Sequence, residues 1–325
     1  MPNLIKVHAT GGPGAMKWES ADLAEPKADE IQVRHTAIGL NFIDVYFRTG
    51  VYAAPQLPFT PGLEAAGVVE KVGAEVADFG PGDRVAYASP PLGAYCEARN
   101  LPAGRAVKIP DGMDDRTAAA IMLKGMTAHY LLRSTYRVKA GETILFHAAA
   151  GGVGLIACQW AKHLGVTVIG TVGSEEKAAL ARANGCEHVI NYNRDNFVER
   201  VKEITGGDGV PVVYDSVGQA TFLSSLDCLQ PRATLVSFGQ SSGKVEPFDI
   251  GLLSTKGALY LTRPTLFYYT AARDELIYRA GEVFDAVNSG AVNISINQDY
   301  PLAEAVAAHE DLEGRRTTGS TVLIP

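Results

Sequence analysis

The residues with the plainest chemical meaning are Phe146-His147-Ala148-Ala149-Ala150-Gly151-Gly152-Val153-Gly154. They lie between a short apolar run, Ile144-Leu145-Phe146, and an apolar series at helical spacing, which is the setting a dinucleotide fingerprint needs. Matched to G-x-G-x-x-G, Ala149 stands at the first glycine, and Gly151 and Gly154 stand at the second and third. Gly151 would let the backbone approach a pyrophosphate, and Gly154 would let the following helix pack close to its strand. Ala150, Gly152 and Val153 complete the turn into a helix N-terminus, which favours phosphate charge. Ala149 departs from the motif, and a tight strand-to-helix turn with no nucleotide could use the same residues; the flanking elements favour the nucleotide.

Roughly twenty residues past the last glycine, an NAD-specific chain would carry Asp or Glu for the adenine ribose hydroxyls. Here the segment is Val172-Gly173-Ser174-Glu175-Glu176-Lys177. Ser174 can donate a hydrogen bond, and Lys177 adds a cation one helical turn on. Both suit a 2′-phosphate, so NADPH is expected over NADH. The alternative is a capping serine ahead of a solvated helix face. Glu175 and Glu176 fit the first turn of a helix through its dipole. His147, just before the turn, reads as a satisfied core histidine more readily than as an acid.

Positioning these residues requires alternating strands and helices. Val153, Ile156, Ala157, Trp160, Ala161 and Leu164 recur at helical spacing, and Gly165 supplies a stop. Val166–Ile169 and His188–Ile190 follow as strands, with a helix from Ser174 to about Ala183 between them. Phe197, Val201 and Ile204 mark the next helix. Val212–Tyr214, Ala233–Phe238 and Ala258–Thr262 give a fourth, fifth and sixth strand, the number a doubly wound parallel sheet needs. Residues 1–122 are different, with Gly and Pro punctuating short strand-like runs such as Ile31–Arg34, Ala66–Val72 and Arg84–Tyr87. After Pro264 the chain reads as helix (Asp274–Val287), strand (Asn293–Asn297), helix (Leu302–Leu312) and terminal strand (Thr321–Ile324). That tail is too small to stand alone and is expected to rejoin the first domain. The α/β chain therefore divides into 1–122 with 263–325 and an inserted 123–262.

The chain has 325 residues, 46% hydrophobic and 20% charged, which suits two globular domains and excludes a disordered or fibrous protein. No apolar run approaches the roughly 20 residues of a membrane span. The N-terminus, MPNLIKVHATGG, has no signal-peptide pattern, so a cytoplasmic protein is expected. The net charge of −7 and the absence of a basic stripe argue against nucleic acid as a partner. Cys96, Cys158, Cys186 and Cys228 are scattered, with no C-x-x-C pair, and read as buried thiols.

With these residues in hand, the whole chain resembles the medium-chain dehydrogenase/reductase superfamily, and most closely its zinc-free, ζ-crystallin-like NADPH:quinone oxidoreductases. The resemblance is carried by Gly39-Leu40-Asn41-Phe42-Ile43-Asp44-Val45-Tyr46, Pro61-Gly62-Leu63-Glu64-Ala65-Ala66-Gly67 and Gly80-Pro81-Gly82-Asp83-Arg84-Val85. The A-x-G-G-V-G form at Ala149–Gly154, Tyr214–Gly218 and Val236–Gly239 complete it. It implies a Rossmann domain inserted in a discontinuous GroES-like β-rich catalytic domain, and a homodimer, with Ala258–Thr262 as the candidate edge for pairing. As cofactor-binding residues it implies Phe42, Asp44, Tyr130, Ala150–Gly154, Gly173, Ser174, Lys177, Tyr192, Ser216, Phe238, Gly239, Ser241 and Arg315. Zinc-dependent relatives carry Gly-His-Glu near Gly62-Leu63-Glu64, with further cysteines. Leu63 replaces the histidine here, so no metal is expected.

Without a metal or an acyl nucleophile, the chemistry that remains is reduction of an electrophile by the nicotinamide. A quinone suits this, because its conjugated carbonyls accept an electron or hydride and its oxygens can take protons from water. Asn41, Tyr46 and Tyr52 are the expected catalytic residues: the tyrosines as stacking and hydrogen-bonding groups, Asn41 beside the carboxamide or the acceptor carbonyl. A packing role for each tyrosine is the plainer alternative. Asp44 either touches the cofactor or holds its loop. Competing readings are a 2-enal or enoyl-thioester reductase, with Tyr46 or Tyr52 as acid, and an NADPH-tuned RNA-binding or structural protein.

Overall fold

The computed structural model describes every residue except Pro55. The chain divides into a discontinuous unit, Met1–Met126 with Thr270–Asn288 and Ile294–Pro325, and an inserted unit, Thr127–Tyr269 with Ser289–Asn293. The fold is α/β: the inserted unit carries a parallel sheet and the discontinuous unit a mostly antiparallel one.

The inserted unit is built on six parallel strands. Thr143–Phe146, Thr167–Val172 and His188–Asn191 run outward one way, and Val210–Asp215, Leu229–Ser237 and Tyr260–Thr262 run outward the other. Numbered along the chain this order is 3-2-1-4-5-6, the dinucleotide-binding order. The reversal falls between Thr143–Phe146 and Val210–Asp215, so the crevice for a ligand opens at their carboxyl ends. Strand interiors such as Ile144-Leu145 and Val212-Val213 are fully buried, as helix-covered parallel strands require.

The discontinuous unit holds a seven-stranded sheet. In order it contains Ile296–Pro301, Ser320–Ile324, Glu30–Leu40, Glu64–Val72, Arg84–Ala88 and Val107–Lys108, and Ala98–Pro102 also pairs with Glu30–Leu40. Glu30–Leu40 alternates in its middle: Ile31, Val33 and His35 are buried, while Arg34 and Thr36 are exposed. The terminal strand pairs with it at Thr321↔Leu40 and Val322↔Gly39, which brings the tail back to the first sheet.

Three elements differ from the sequence expectation. The helix Asp115–Tyr130 is buried over Ala118–Met122, so its apolar residues show no one-sided period, and it runs through the sequence boundary at 122. The strand expected at 293–297 begins at Ile296. Before it, the Gln159 side chain accepts from the Asn293 N–H (2.8 Å) and donates to its carbonyl (3.0 Å), which holds that stretch on the inserted unit. The helix expected at 302–312 opens with a 3-10 turn, Leu302–Glu304, before Ala305–Glu313.

Candidate active site

In the inserted unit the turn after Thr143–Phe146 leads into the helix Gly152–His163, whose N-cap is Gly151. No side chain caps this helix start. A Cβ on Gly151 would meet only the Ala148 carbonyl oxygen, at 3.2 Å, so the space beside the turn is open for an anionic group at the helix N-terminus. Gly154 faces inward. A Cβ there would stand 2.4 Å from the Ala148 oxygen and 2.7 Å from the Ala149 oxygen, so glycine is what lets helix and turn close together. The cradle fits a pyrophosphate.

At the end of the next strand, Ser174 Oγ accepts the Lys177 N–H at 3.2 Å and caps the helix Glu175–Ala183. The two acids of that first turn are engaged. Asn191 donates to Glu175 (2.8 Å) and Arg194 pairs with it (3.1 Å), while the Ser174 hydroxyl holds the Glu176 carboxyl below its ordinary range. Tyr192 follows the third strand, 39% exposed, and Asn193 donates to the Gly173 carbonyl (2.7 Å). The fourth strand ends on the buried Asp215, whose carboxylate accepts from the backbone N–H of Val217 (2.7 Å) and Gly218 (3.1 Å) and so fixes the Ser216 turn. Ser241 N–H donates to Ser216 O, and Arg263 donates to the carbonyls of Ser237 and Gly239. The fingerprint residues, Gly173, Ser174, Tyr192, Ser216, Phe238 and Gly239 thus gather at the carboxyl ends of the parallel strands. Tyr130, by contrast, is buried and stacked on Tyr269 with ring centroids 4.4 Å apart. His147 is a satisfied core group, its ring nitrogens meeting Thr171 Oγ1 (2.8 Å) and Ser225 Oγ (2.9 Å).

The discontinuous unit gathers the remaining candidates around one short helix, Phe42–Thr49. Asn41 is its N-cap, and Asn41 and Asp44 form a capping box in which Asp44 Oδ2 accepts the Asn41 N–H at 2.9 Å. Gly50 ends the helix at φ 83°, a conformation that costs glycine nothing. The chain then reverses, and Tyr52 N–H donates to Tyr46 O (3.0 Å). Phe42, Tyr46 and Tyr52 consequently form an aromatic row, with centroids 5.4 Å apart for the first pair and 5.0 Å for the second. Arg315 lies exposed just past the helix Ala305–Glu313.

Beneath this helix lies a buried pair that the sequence reading did not assign, Glu64 and Lys124, beside Asp44, which it did. Glu64 is fully buried and accepts from Asn41 Nδ2 (2.6 Å) and from the Leu123 N–H (2.6 Å), with Lys124 Nζ at 3.6 Å. Burial pushes the Glu64 carboxyl up from its ordinary range, against the pull of Lys124. Asp44 is also fully buried and is pushed up to about 7, chiefly by desolvation, although Asn41 and Tyr95 donate to it. One signal was available in the sequence: Glu64 and Lys124 each interrupt an apolar run, and isolated opposite charges in apolar runs can mark a buried pair. Among the described residues no group of three or more His, Cys, Asp or Glu could hold a metal ion, and Leu63, the neighbour of Glu64, is an apolar core residue.

Two family models match the chain: an alcohol dehydrogenase GroES-like domain over residues 27–138 and a zinc-binding dehydrogenase over residues 152–271. The chain is 55% identical over 325 residues, all of both chains, to a quinone oxidoreductase of Pseudomonas aeruginosa. A crystal structure of Escherichia coli quinone oxidoreductase complexed with NADPH superposes with a TM-score of 0.98 at 51% identity, covering 99% of this chain and all of that one. A 2-haloacrylate reductase of a Burkholderia species is 47% identical over 98% of each chain.

Proposed function

This chain belongs to the zinc-free quinone oxidoreductases of the medium-chain dehydrogenase/reductase superfamily, and from that membership we propose how its residues serve the NADPH-dependent reduction of quinones. The single observation that carries the reading is the Gly151–Gly154 cradle, in a chain half identical along its full length to named quinone oxidoreductases. The division of labour we propose follows the discontinuity of the chain: residues 123–262 are the dinucleotide-binding domain, and 1–122 with 263–325 are the catalytic domain, which serves the acceptor and adds further contacts to the cofactor.

NADPH, when bound, supplies the hydride or its electron equivalent. We propose that the backbone at Ala150–Gly154 holds the pyrophosphate and that Ser174, Lys177 and Tyr192 hold the 2′-phosphate. Glu175 and Glu176 are engaged by Asn191, Arg194 and Ser174, which lowers the acidic repulsion a phosphate would otherwise meet there. Gly173, Ser216, Phe238, Gly239, Ser241, Tyr130, Phe42, Asp44 and Arg315 complete the proposed cofactor set. Tyr46 and Tyr52 offer ring faces and hydroxyls to a flat acceptor, and Asn41 offers a fixed carboxamide. The reduced oxygens take their protons from water, so no side chain need act as an acid. Measuring NADPH consumption with a quinone, and its loss in Asn41→Ala and Tyr52→Ala, which remove the carboxamide and the ring face, tests these roles.

The 2-haloacrylate reductase at 47% identity favours one second reading, reduction of an activated carbon–carbon double bond. There Tyr46 or Tyr52 would deliver a proton to the carbon α to the carbonyl. The Tyr→Phe variants separate the two. They spare a reaction that water can protonate, and they abolish one that needs the phenol.

We further propose a homodimer formed at the free edge of the six-stranded sheet, where Tyr260 in Tyr260–Thr262 is 63% exposed. No helix among the described residues is long and apolar enough to cross a membrane. The four cysteines are unbridged and buried, which supports a cytoplasmic setting.

A further inference from the structure

We propose that Glu64 and Lys124 are a buried pair that positions the Asn41 carboxamide for the reduction, making both of them positioning residues. This rests on the reading of Asn41 as a group that meets the nicotinamide or the acceptor. Glu64 Oε2 accepts from Asn41 Nδ2 at 2.6 Å, and Glu64 Oε1 accepts the backbone N–H of Leu123 at the same distance. Lys124 Nζ lies 3.6 Å from Oε2 and donates to the carbonyl of Leu40, the residue before Asn41, at 3.1 Å. Two partners therefore grip the junction between the strand Glu30–Leu40 and the helix Phe42–Thr49, one by its side chain and one by its backbone.

The strand is shaped to admit this carboxylate. A Cβ on Gly39 would stand 2.1 Å from Glu64 Oε2 and 2.4 Å from the Ala119 carbonyl oxygen, so any larger residue would exclude Glu64 from its place. Both members of the pair are buried: Glu64 is 0% exposed and Lys124 is 6% exposed. Apolar residues of similar size commonly replace a buried pair at no loss of stability. Fold stability alone therefore does not call for these charges. What they do locally is orient an amide. A carboxylate accepts only from Nδ2, so turning the amide over would set two oxygens against each other. The capping box with Asp44 fixes the other side of the same residue. Asn41 is held in one orientation, and in a site of this kind misplacement by about 1 Å can cost a hundredfold in rate.

The test is a double-mutant cycle on kcat with a quinone, using Asn41→Ala, Glu64→Gln and both together, with NADPH affinity from fluorescence titration. Glu64→Gln and Asn41→Ala should each lower kcat about tenfold and leave the NADPH Kd within about twofold. Glu64→Gln should add less than about twofold on the Asn41→Ala background, because its effect passes through Asn41. Should Glu64→Gln fail to fold, the neutral pair Glu64→Gln/Lys124→Met enters the same cycle. Multiplying effects, or a folded Glu64→Gln enzyme with wild-type kcat beside an impaired Asn41→Ala, would overturn the positioning role and leave the reading of Asn41 intact. An unimpaired Asn41→Ala enzyme would overturn both.

Discussion

The Tyr95 hydroxyl donates to Asp44 Oδ2 across 3.0 Å, with both groups wholly buried. Behind it, Tyr95 Oη lies 3.0 Å from His309 Nε2, and Arg48 Nε donates to His309 Nδ1 at 3.3 Å. Because Nδ1 accepts from Arg48, Nε2 carries the ring proton and donates to Tyr95. Three donors thus point in series toward one carboxylate at the start of the helix that carries Asn41 and Tyr46, and Arg48 itself is closed by Glu313. Each bond polarises the next, which strengthens the row beyond its separate members.

This arrangement makes a pH prediction. Asp44 has a carboxyl near 7 in the folded chain against an ordinary 3.8, with Asn41, Tyr95, Glu64 and Lys124 as its neighbours. The folded state therefore holds a proton that the unfolded state has released between about pH 4 and 7, so this group's contribution to stability is present at low pH and is lost as pH rises through 7. Asp44→Asn removes the dependence. Relative to wild type, the variant should gain on the order of 1–4 kcal/mol between pH 5 and pH 8 in urea denaturation. Buried His35, pushed down to about 4 by desolvation, acts with the opposite sign but is common to both proteins and cancels. A constant difference between the two proteins across that range would contradict the assignment.

Gly151 and Gly154 should separate cleanly. Gly151 adopts an extended backbone at φ −80° and has only one near neighbour, so Gly151→Val should fold normally by circular dichroism while NADPH affinity falls about a hundredfold or more. Gly154→Ala should instead lower stability by roughly 1–3 kcal/mol, because its methyl meets the Ala148 and Ala149 oxygens. Normal NADPH binding by Gly151→Val would show that the cradle is not the pyrophosphate site.

Lys177→Ala should narrow the preference for NADPH over NADH. A charged hydrogen bond to a partly solvated 2′-phosphate is worth about 1–2 kcal/mol, or roughly 5- to 30-fold. The loss should fall on KM for NADPH, since the phosphate is distant from the nicotinamide and contributes equally before and during the reaction. Kinetics with both cofactors decide it. Equal losses would mean that Lys177 only supports the helix Glu175–Ala183.

The sequence carried the inserted sheet well, because its strands are short apolar runs bounded by glycine and its helices show a clear period. The cradle was legible for the same reason: glycine at 151 and 154 reports backbone approach directly. Glu64, Lys124, Tyr95 and His309 were not assigned, because their meaning comes from contacts between residues far apart in the chain, 214 positions apart for Tyr95 and His309. The helix Asp115–Tyr130 escaped since burial over Ala118–Met122 erases the pattern that would have announced it.

The most direct measurement is steady-state NADPH oxidation by the purified enzyme against a quinone, a 2-enal and a 2-haloacrylate, each with and without a metal chelator. Quinone-dependent consumption should proceed undiminished in chelator, with kcat/KM at least about tenfold above that of either unsaturated acceptor, a gap of about 1.4 kcal/mol in transition-state stabilisation. No quinone-dependent consumption, a preference for the 2-haloacrylate, or activity lost to chelator and restored by zinc would contradict a zinc-free quinone reductase.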